Sequence, residues 1–277
     1  MSETTSNYGN SELGHIERAH LGGRDLVIWV PAKLAPHTPI LVAHDAQNYM
    51  IPADETWNGR NWGVIEALES GRIKPTKDGL LPLIASVVLL DTALRVNELM
   101  PEDFVHAHPG FWDDQTSPRM TESRALMGNA YADAVALDVI PALCERFGIE
   151  HDLDRTAISG SSMGGLACLY AVARHPEVYG TALAYSTHWP IGGNDLVDYL
   201  IDALPNDSKH HFYIDAGDIE LDASYPPFLE RATERLLGRG MHRERDFVTK
   251  VIPGTGHNET YWSERVHTVT NWWLAQI

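Results

Sequence analysis

The chain has 277 residues, of which 44 % are hydrophobic, and a formal net charge of −17. This length and hydrophobic content favour one large α/β domain. The negative charge, without a basic stripe, argues against a nucleic-acid partner, and no apolar run of about 18 residues predicts a membrane span. Residues 1–12 are polar and lack the features of a secretory signal, so we expect a flexible tail and a cytoplasmic location.

Short apolar runs alternate with amphipathic segments along the rest of the chain. The runs predict strands over 25–31, 39–45, 84–91, 156–158, 181–186, 211–217 and 247–252. Helical spacing is found over 62–68, 129–148, 166–174, 229–236 and 262–273. Alternating strands and helices predict a mostly parallel central sheet with helices on both faces. We therefore expect a single domain over 13–277, with the polar stretch 97–123 passing over the sheet.

The two cysteines, Cys144 and Cys168, lie in apolar helical patterns, which favours reduced and buried thiols over a disulfide. No Cys/His spacing is typical of a zinc site. The sequence thus predicts no metal and no cofactor.

A G-x-S-x-G pattern follows the predicted strand at 156–158. Gly160, Ser162 and Gly164 have the spacing of a nucleophile elbow, a sharp turn that exposes a serine hydroxyl. Small residues are expected on both sides of the serine because the backbone is strained and closely packed. The helix that follows directs free N–H groups toward the place where negative charge develops in acyl transfer. Ser162 is the candidate nucleophile, and an ordinary Gly/Ser-rich turn is the alternative.

A serine nucleophile requires a base and an acid. In α/β-hydrolases these follow in the order serine, acid, histidine. His257 lies in a Gly-rich loop between the last predicted strand and helix, so it is the candidate base. The acid should follow the strand that ends at Gly217, where Asp218, Glu220 and Asp222 stand. We interpret Glu220 as the acid that accepts the Nδ1 hydrogen bond of His257, with Asp218 and Asp222 as open alternatives.

Two backbone N–H groups are needed to hold an oxyanion. One should be that of Met163, the residue after the nucleophile, and the other that of Gln47, in the loop after the second predicted strand. Trp112, Trp189 and Trp262 are candidates for lining an apolar cleft, and core packing is the alternative for each.

Several segments resemble the Putative esterase family of α/β-hydrolases, which includes enterochelin-esterase-like hydrolases, S-formylglutathione hydrolase, feruloyl esterases and mycolyltransferases. The similar segments are residues 44–48 (HDAQN), 62–68 (WGVIEAL), 95–101 (RVNELMP), 160–165 (GSSMGG), 185–189 (YSTHW) and 256–262 (GHNETYW). The resemblance implies an α/β-hydrolase fold, Ser162 and His257 as nucleophile and base, an acid at Glu220, and Gln47 as an oxyanion donor. Ala46 stands where the family often has glycine, and its methyl group restricts that loop.

The leading hypothesis is a serine carboxylesterase that acts on a small-molecule ester through a Ser-His-Glu triad and needs no cofactor. The alternatives are an acyltransferase with the same triad, a siderophore trilactone esterase, and a non-catalytic binding module on a hydrolase fold. A net charge of −17 weakens the siderophore hypothesis because such ferric ligands are anionic. The sequence does not set the acyl group, the alcohol or the oligomeric state.

Overall fold

An eight-stranded sheet forms the centre of the computed structural model, which describes residues 8–56, 58–111 and 125–277. The order of the strands across the sheet is β1-β2-β4-β3-β5-β6-β7-β8. Neighbours pair in parallel from β4 to β8, whereas β1–β2 and β2–β4 are antiparallel. The strands are β1 (Gly14–Leu21), β2 (Arg24–Pro31), β3 (Ile40–Ala43), β4 (Leu83–Val87), β5 (Thr156–Ser161), β6 (Thr181–Tyr185), β7 (His211–Ala216) and β8 (Phe247–Val251).

Helices connect the parallel strands and cover both faces of the sheet. They are α1 (Ala46–Tyr49), α2 (Val64–Glu69), α3 (Thr92–Leu99), α4 (Glu102–Ala107), α5 (Gly128–Asp133), α6 (Ile140–Phe147), α7 (Met163–Arg174), α8 (Gly193–Ala203), α9 (Pro226–Gly238) and α10 (Glu259–Leu274). A π-helical segment (Ala134–Val139) joins α5 to α6. Short 3₁₀ segments are found at Ala53–Glu55, Leu153–Arg155, Trp189–Ile191 and Glu220–Ser224.

Two hydrophobic cores lie on opposite faces of the sheet. Successive strand residues point to opposite sides, so Leu41 of β3 packs in one core and Val42 in the other. Helices α1, α2 and α10 cover the first core, and the helices from α3 to α9 cover the second. Both faces are buried because parallel strands are joined by crossover helices. The predicted α/β-hydrolase fold, with a mostly parallel sheet and helices on both faces, is thereby confirmed.

The structure also adds elements that the sequence pattern did not predict. Strand β1 has alternating half-buried and exposed residues, and its hydrophobic signal is weak for that reason. Helices α3 and α4 occupy part of the stretch 97–123, which we expected to pass over the sheet. Residues 1–7 of the expected tail and the cleft candidate Trp112 lie outside the described residues.

Both cysteines are free thiols, with Cys168 buried and Cys144 half-buried. Within the described ranges, no helix combines the length and the apolar character needed to cross a membrane.

Candidate active site

Ser162 occupies the sharp turn between β5 and α7. Its φ of 58° and ψ of −121° place a non-glycine residue in a region that L-amino acids rarely adopt. Two backbone bonds hold the turn: the N–H of Ser162 donates to the carbonyl of Tyr185 at 2.9 Å, and its own carbonyl accepts from the N–H of His188 at 3.1 Å. The end of β6 thus fixes the backbone on both sides of the serine. This is the geometry of a nucleophile elbow.

The two glycines of the elbow have different surroundings. A Cβ atom built on Gly160 would lie 2.8 Å from the carbonyl carbon and oxygen of Gly164 and 2.9 Å from the ring of His44. A Cβ atom on Gly164 would come no closer than 3.5 Å to its neighbours. The requirement for a small residue is therefore strict at Gly160 and weak at Gly164.

The carboxylate against His257 belongs to Asp222. Nδ1 of His257 lies 2.6 Å from Oδ1 of Asp222, whereas the carboxylate of Glu220 accepts a hydrogen bond from the side chain of Asn258 at 3.3 Å. The expected contact of Glu220 with the imidazole is wrong, and the local backbone explains why. Glu220 is exposed and begins a 3₁₀ segment at a φ of 55°, and the turn carries Asp222 into the interior.

All three acids after β7 contact the loop that holds the histidine. Asp218 accepts the backbone N–H of Gly254 at 2.7 Å, at the start of that loop. Glu220 contacts Asn258 at its end, and Asp222 contacts the ring itself. Asp218 and Glu220 therefore shape the loop from outside, while the fully buried Asp222 can orient the imidazole.

Asp222 is held in its charged form by hydrogen bonds. Burial alone would raise the pKa of this carboxyl group, but hydrogen bonds from His257, Ser186 and the N–H of Gly217 lower the pKa below its usual value. Oδ2 accepts from the hydroxyl of Ser186 at 2.6 Å and from the N–H of Gly217 at 2.8 Å. One carboxylate oxygen is thus free to bind the ring while the other is fixed by the ends of β6 and β7.

On the opposite side of the site, an ion pair supports the loop that contains Gln47. Arg95 donates to both carboxylate oxygens of Asp45 at 2.5 and 2.7 Å. Asp45 caps the short helix α1 at a φ of 62°. The side chain of Gln47 exchanges hydrogen bonds with the backbone of Leu89 at 3.0 and 3.1 Å. These contacts hold Gln47 by its side chain. Because Gln47 lies in the first turn of α1, its backbone N–H has no carbonyl acceptor within the helix.

A cleft of about 1000 Å³ contains the candidate nucleophile and base. Its wall includes Ser162, His257, Gln47 and Trp262, together with amide and charged side chains. These are Asp45, Asn48, Glu55, Asn58, Arg60, Arg95, Asn258 and Glu259. Most of the residues that line the cleft on this side of the serine therefore carry polar or charged side chains.

The tryptophans expected to line the cleft have different positions. Trp262 is part of the cleft wall, and its ring meets that of His257 edge to face at a centroid distance of 5.3 Å. Trp189 is 1 % exposed and belongs to a hydrophobic core. The assignment of Trp189 to substrate binding is wrong for this reason, since its side chain is enclosed by core residues.

Glu259 connects the histidine loop to the loop of Gln47. It is the first residue of α10, and its buried carboxylate accepts from the amide groups of Asn48 at 2.8 Å and Asn58 at 2.9 Å. Asn48 belongs to α1, so one carboxylate joins the two loops that flank the serine.

A second histidine lies beside the base. The ring of His188 is 6.3 Å from that of His257, and its Nδ1 lies 2.5 Å from the hydroxyl of Tyr225. Burial, and then the charges of His257 and Arg95, lower the pKa of His188 to about 4. A neutral His188 is thus expected near pH 7. His188 precedes the three acids in the chain, so it does not fit the order serine, acid, histidine, and the YSTHW segment is the sequence signal for its place near the site.

Within the described part of the chain, no group of three or more His, Cys, Asp or Glu side chains could hold a metal ion. The site as it stands combines a strained serine, an imidazole and a buried carboxylate at the carboxyl ends of β5, β8 and β7. Such an arrangement is suited to nucleophilic acyl transfer.

Comparisons with known proteins agree with this chemistry. The family model described as Putative esterase matches residues 112–269, which is more than half of the chain. No curated protein sequence matches this chain.

Among solved structures, the enterobactin esterase FES from Shigella flexneri is 17 % identical, with a TM-score of 0.59 over 93 % of this chain. The present chain spans 59 % of the length of that esterase. The enterobactin and salmochelin hydrolase IroE is 16 % identical, with a TM-score of 0.62 over 94 % of this chain and 97 % of its own. A ferulic acid esterase is 14 % identical, with a TM-score of 0.57 over 93 % and 97 % of the two chains. These likenesses show a shared fold.

Proposed function

Because the chain belongs to the Putative esterase family, we propose that it hydrolyses a carboxylic ester through Ser162, His257 and Asp222. The family supports a hydrolase that acts on esters, and the triad is our assignment within this chain. The observation that carries it is the bond of 2.6 Å between Nδ1 of His257 and the buried carboxylate of Asp222, with His257 in the same cleft as the strained serine.

In the first half of the reaction, Oγ of Ser162 attacks the ester carbonyl carbon. Nε2 of His257 takes the hydroxyl proton, and Asp222 stabilises the imidazolium through Nδ1. The backbone N–H groups of Met163 and Gln47 would hold the oxyanion. When the tetrahedral intermediate collapses, the bond to the alcohol oxygen breaks and His257 returns the proton to that oxygen. The alcohol leaves, and the acyl group stays on Ser162.

In the second half, water replaces the alcohol. His257 removes a proton from water as its oxygen attacks the acyl carbon, and the same oxyanion donors hold the new intermediate. Collapse breaks the bond to Oγ, and His257 protonates the serine. The products are a carboxylic acid, an alcohol and the regenerated enzyme.

The experiment is ester hydrolysis by the full chain and by Ser162→Ala. A panel of p-nitrophenyl esters from acetate to palmitate should show a burst of p-nitrophenol with the wild type, and the variant should lose about 10⁶-fold in kcat. A fluorophosphonate should label the wild type and Ser161→Ala but not Ser162→Ala. Near-native hydrolysis by Ser162→Ala, or no hydrolysis of any ester by the wild type, would refute the proposal.

Because most of the residues that line the cleft are polar or charged, we expect faster hydrolysis of short or hydrophilic esters than of long alkyl esters. Adding an alcohol acceptor to the same assay measures transfer against hydrolysis, and we expect water to be the main acceptor because the cleft has a volume of about 1000 Å³ and is lined by many polar residues.

A further inference from the structure

We infer that Ser186 is a positioning residue for the carboxylate of Asp222, and that it couples this carboxylate to a buried ion pair between Asp215 and Arg265. The inference rests on the proposed function. Ser186 follows β6, is fully buried, and lies outside the nucleophile, base and oxyanion groups assigned above.

The hydrogen-bond roles around the hydroxyl of Ser186 are fixed by chemistry. Oγ lies 3.0 Å from Nε1 of Trp262, 3.2 Å from Nη2 of Arg265 and 2.6 Å from Oδ2 of Asp222. An indole and a guanidinium can only donate hydrogen bonds. Both lone pairs of the hydroxyl oxygen are therefore occupied, and its single proton must point to Asp222. The carboxylate thus receives a donor whose orientation is set by two other side chains.

The backbone of Ser186 is fixed by the same network. Its N–H donates to Oδ1 of Asp215 at 3.0 Å, and Arg265 donates to both oxygens of Asp215 at 2.7 and 3.0 Å. The hydroxyl of Tyr213 donates to Oδ2 of Asp215 at 3.1 Å. Ser186 is held at a φ of 40°, where glycine would be favoured. Residue 186 therefore carries a hydroxyl group although any side chain is strained at this φ.

The network extends from a buried charge to the imidazole. The guanidinium of Arg265 is neutralised by Asp215 and also polarises the hydroxyl of Ser186, which strengthens the bond to Asp222. Asp222 then holds Nδ1 of His257. The titratable and charged side chains in and around this hydrogen-bond network are Asp215, Asp222, Arg265, His188, His257, Tyr185, Tyr213 and Tyr225.

Removal of the Ser186 hydroxyl should have a defined effect. The carboxylate of Asp222 would lose one hydrogen-bond donor. It would then interact more strongly with the protonated imidazole. The acid limb of the kcat/KM profile should therefore move to higher pH. A charged hydrogen bond of this kind should change kcat by about 10- to 100-fold.

The test compares Ser186→Ala and Ser186→Gly with the wild type, using an ester that the wild type hydrolyses. Glycine tolerates the positive φ, so it removes the hydroxyl without added backbone strain. Thr187→Val is the matched control, because the neighbouring buried hydroxyl has no hydrogen-bond partner among the described residues. A fluorophosphonate titration gives the fraction of intact sites in each protein.

We expect both Ser186 variants to lose kcat per titrated site, to keep KM within about twofold, and to shift the acid limb, while Thr187→Val behaves as the wild type. Wild-type kcat and pH profile in both variants would overturn the inference. So would a loss that is fully explained by fewer titrated sites. Failure of the proposed function is distinct, since the wild type would then hydrolyse no ester and Ser162→Ala would change nothing.

Discussion

Asp222 and His257 are joined by a hydrogen bond of 2.6 Å between a fully buried carboxylate and the ring nitrogen Nδ1. The bond fixes the orientation of the ring, and in the proposed mechanism its other nitrogen, Nε2, exchanges protons with Ser162. Because Asp222 also accepts from Ser186 and Gly217, its position is set by three independent groups. Asp222 is the acidic residue best placed to orient the base.

Single substitutions of the three acids that follow β7 test this assignment. Asp222→Asn should lower kcat about 10³- to 10⁴-fold, because an amide cannot stabilise the imidazolium and favours the wrong tautomer. Glu220→Gln and Asp218→Asn remove the same charge from the outside of the histidine loop, and we expect changes within about threefold. Steady-state kinetics of the three variants measure the difference. Equal losses in all three, or the largest loss at Glu220, would contradict the role of Asp222.

The elbow glycines should differ in their tolerance of alanine. Gly160→Ala places a methyl group 2.8 Å from the backbone of Gly164, so we expect a loss of about 3 kcal/mol or more in the free energy of unfolding. Gly164→Ala has room at 3.5 Å and lies inside α7, where alanine is favoured over glycine by about 1 kcal/mol. Urea denaturation of both variants measures the contrast. A Gly164→Ala protein as unstable as Gly160→Ala would disprove this account of the elbow.

His44, buried behind the elbow, should make stability depend on pH. Burial lowers its pKa from 6.5 to about 4; the charge of Asp45 opposes this shift, and that of Arg95 adds to it. Between these values the unfolded chain binds a proton that the folded protein does not, so the free energy of unfolding falls as the pH drops from 6.5 to 4. The full effect of this group is about 3 kcal/mol.

The variant His44→Asn tests this dependence. Its amide can replace Nδ1 as the partner of the Tyr131 hydroxyl, which lies 2.7 Å from that nitrogen in the wild type. Denaturation between pH 4 and 7 should give a flatter slope for this variant, whatever its absolute stability. A wild-type slope in His44→Asn would assign the pH dependence to other groups.

The central strands and the elbow could be predicted from the sequence because their signals are local. Buried parallel strands give continuous apolar runs, and the strained serine requires Gly160 nearby. The C-terminal helix could be predicted for the same reason, since Trp262, Val266 and Trp273 repeat at helical spacing and are all buried. Strand β1 lacked such a signal because one of its faces is partly exposed.

The identity of the acid could not be predicted from local sequence signals. Asp218, Glu220 and Asp222 lie within five residues and have the same chemistry, so sequence order alone could not separate them. The choice depends on the backbone of the 3₁₀ segment Glu220–Ser224, which turns Asp222 inward. The buried partners Asp215 and Arg265 are 50 residues apart in the chain, and their contact depends on how β7 and α10 pack. Long-range packing therefore completed a site that local patterns had only outlined.

The backbone of Ser162 is held at its unfavourable φ of 58° by bonds from its own main chain to Tyr185 and His188. These bonds do not depend on the side chain at residue 162, so the turn should persist when that side chain is changed. A glycine there would relax a conformation that disfavours other residues by roughly 1–3 kcal/mol. Ser162→Gly should thus be more stable than the wild type, so that the proposed nucleophile stands at a position where its own side chain lowers the stability of the fold.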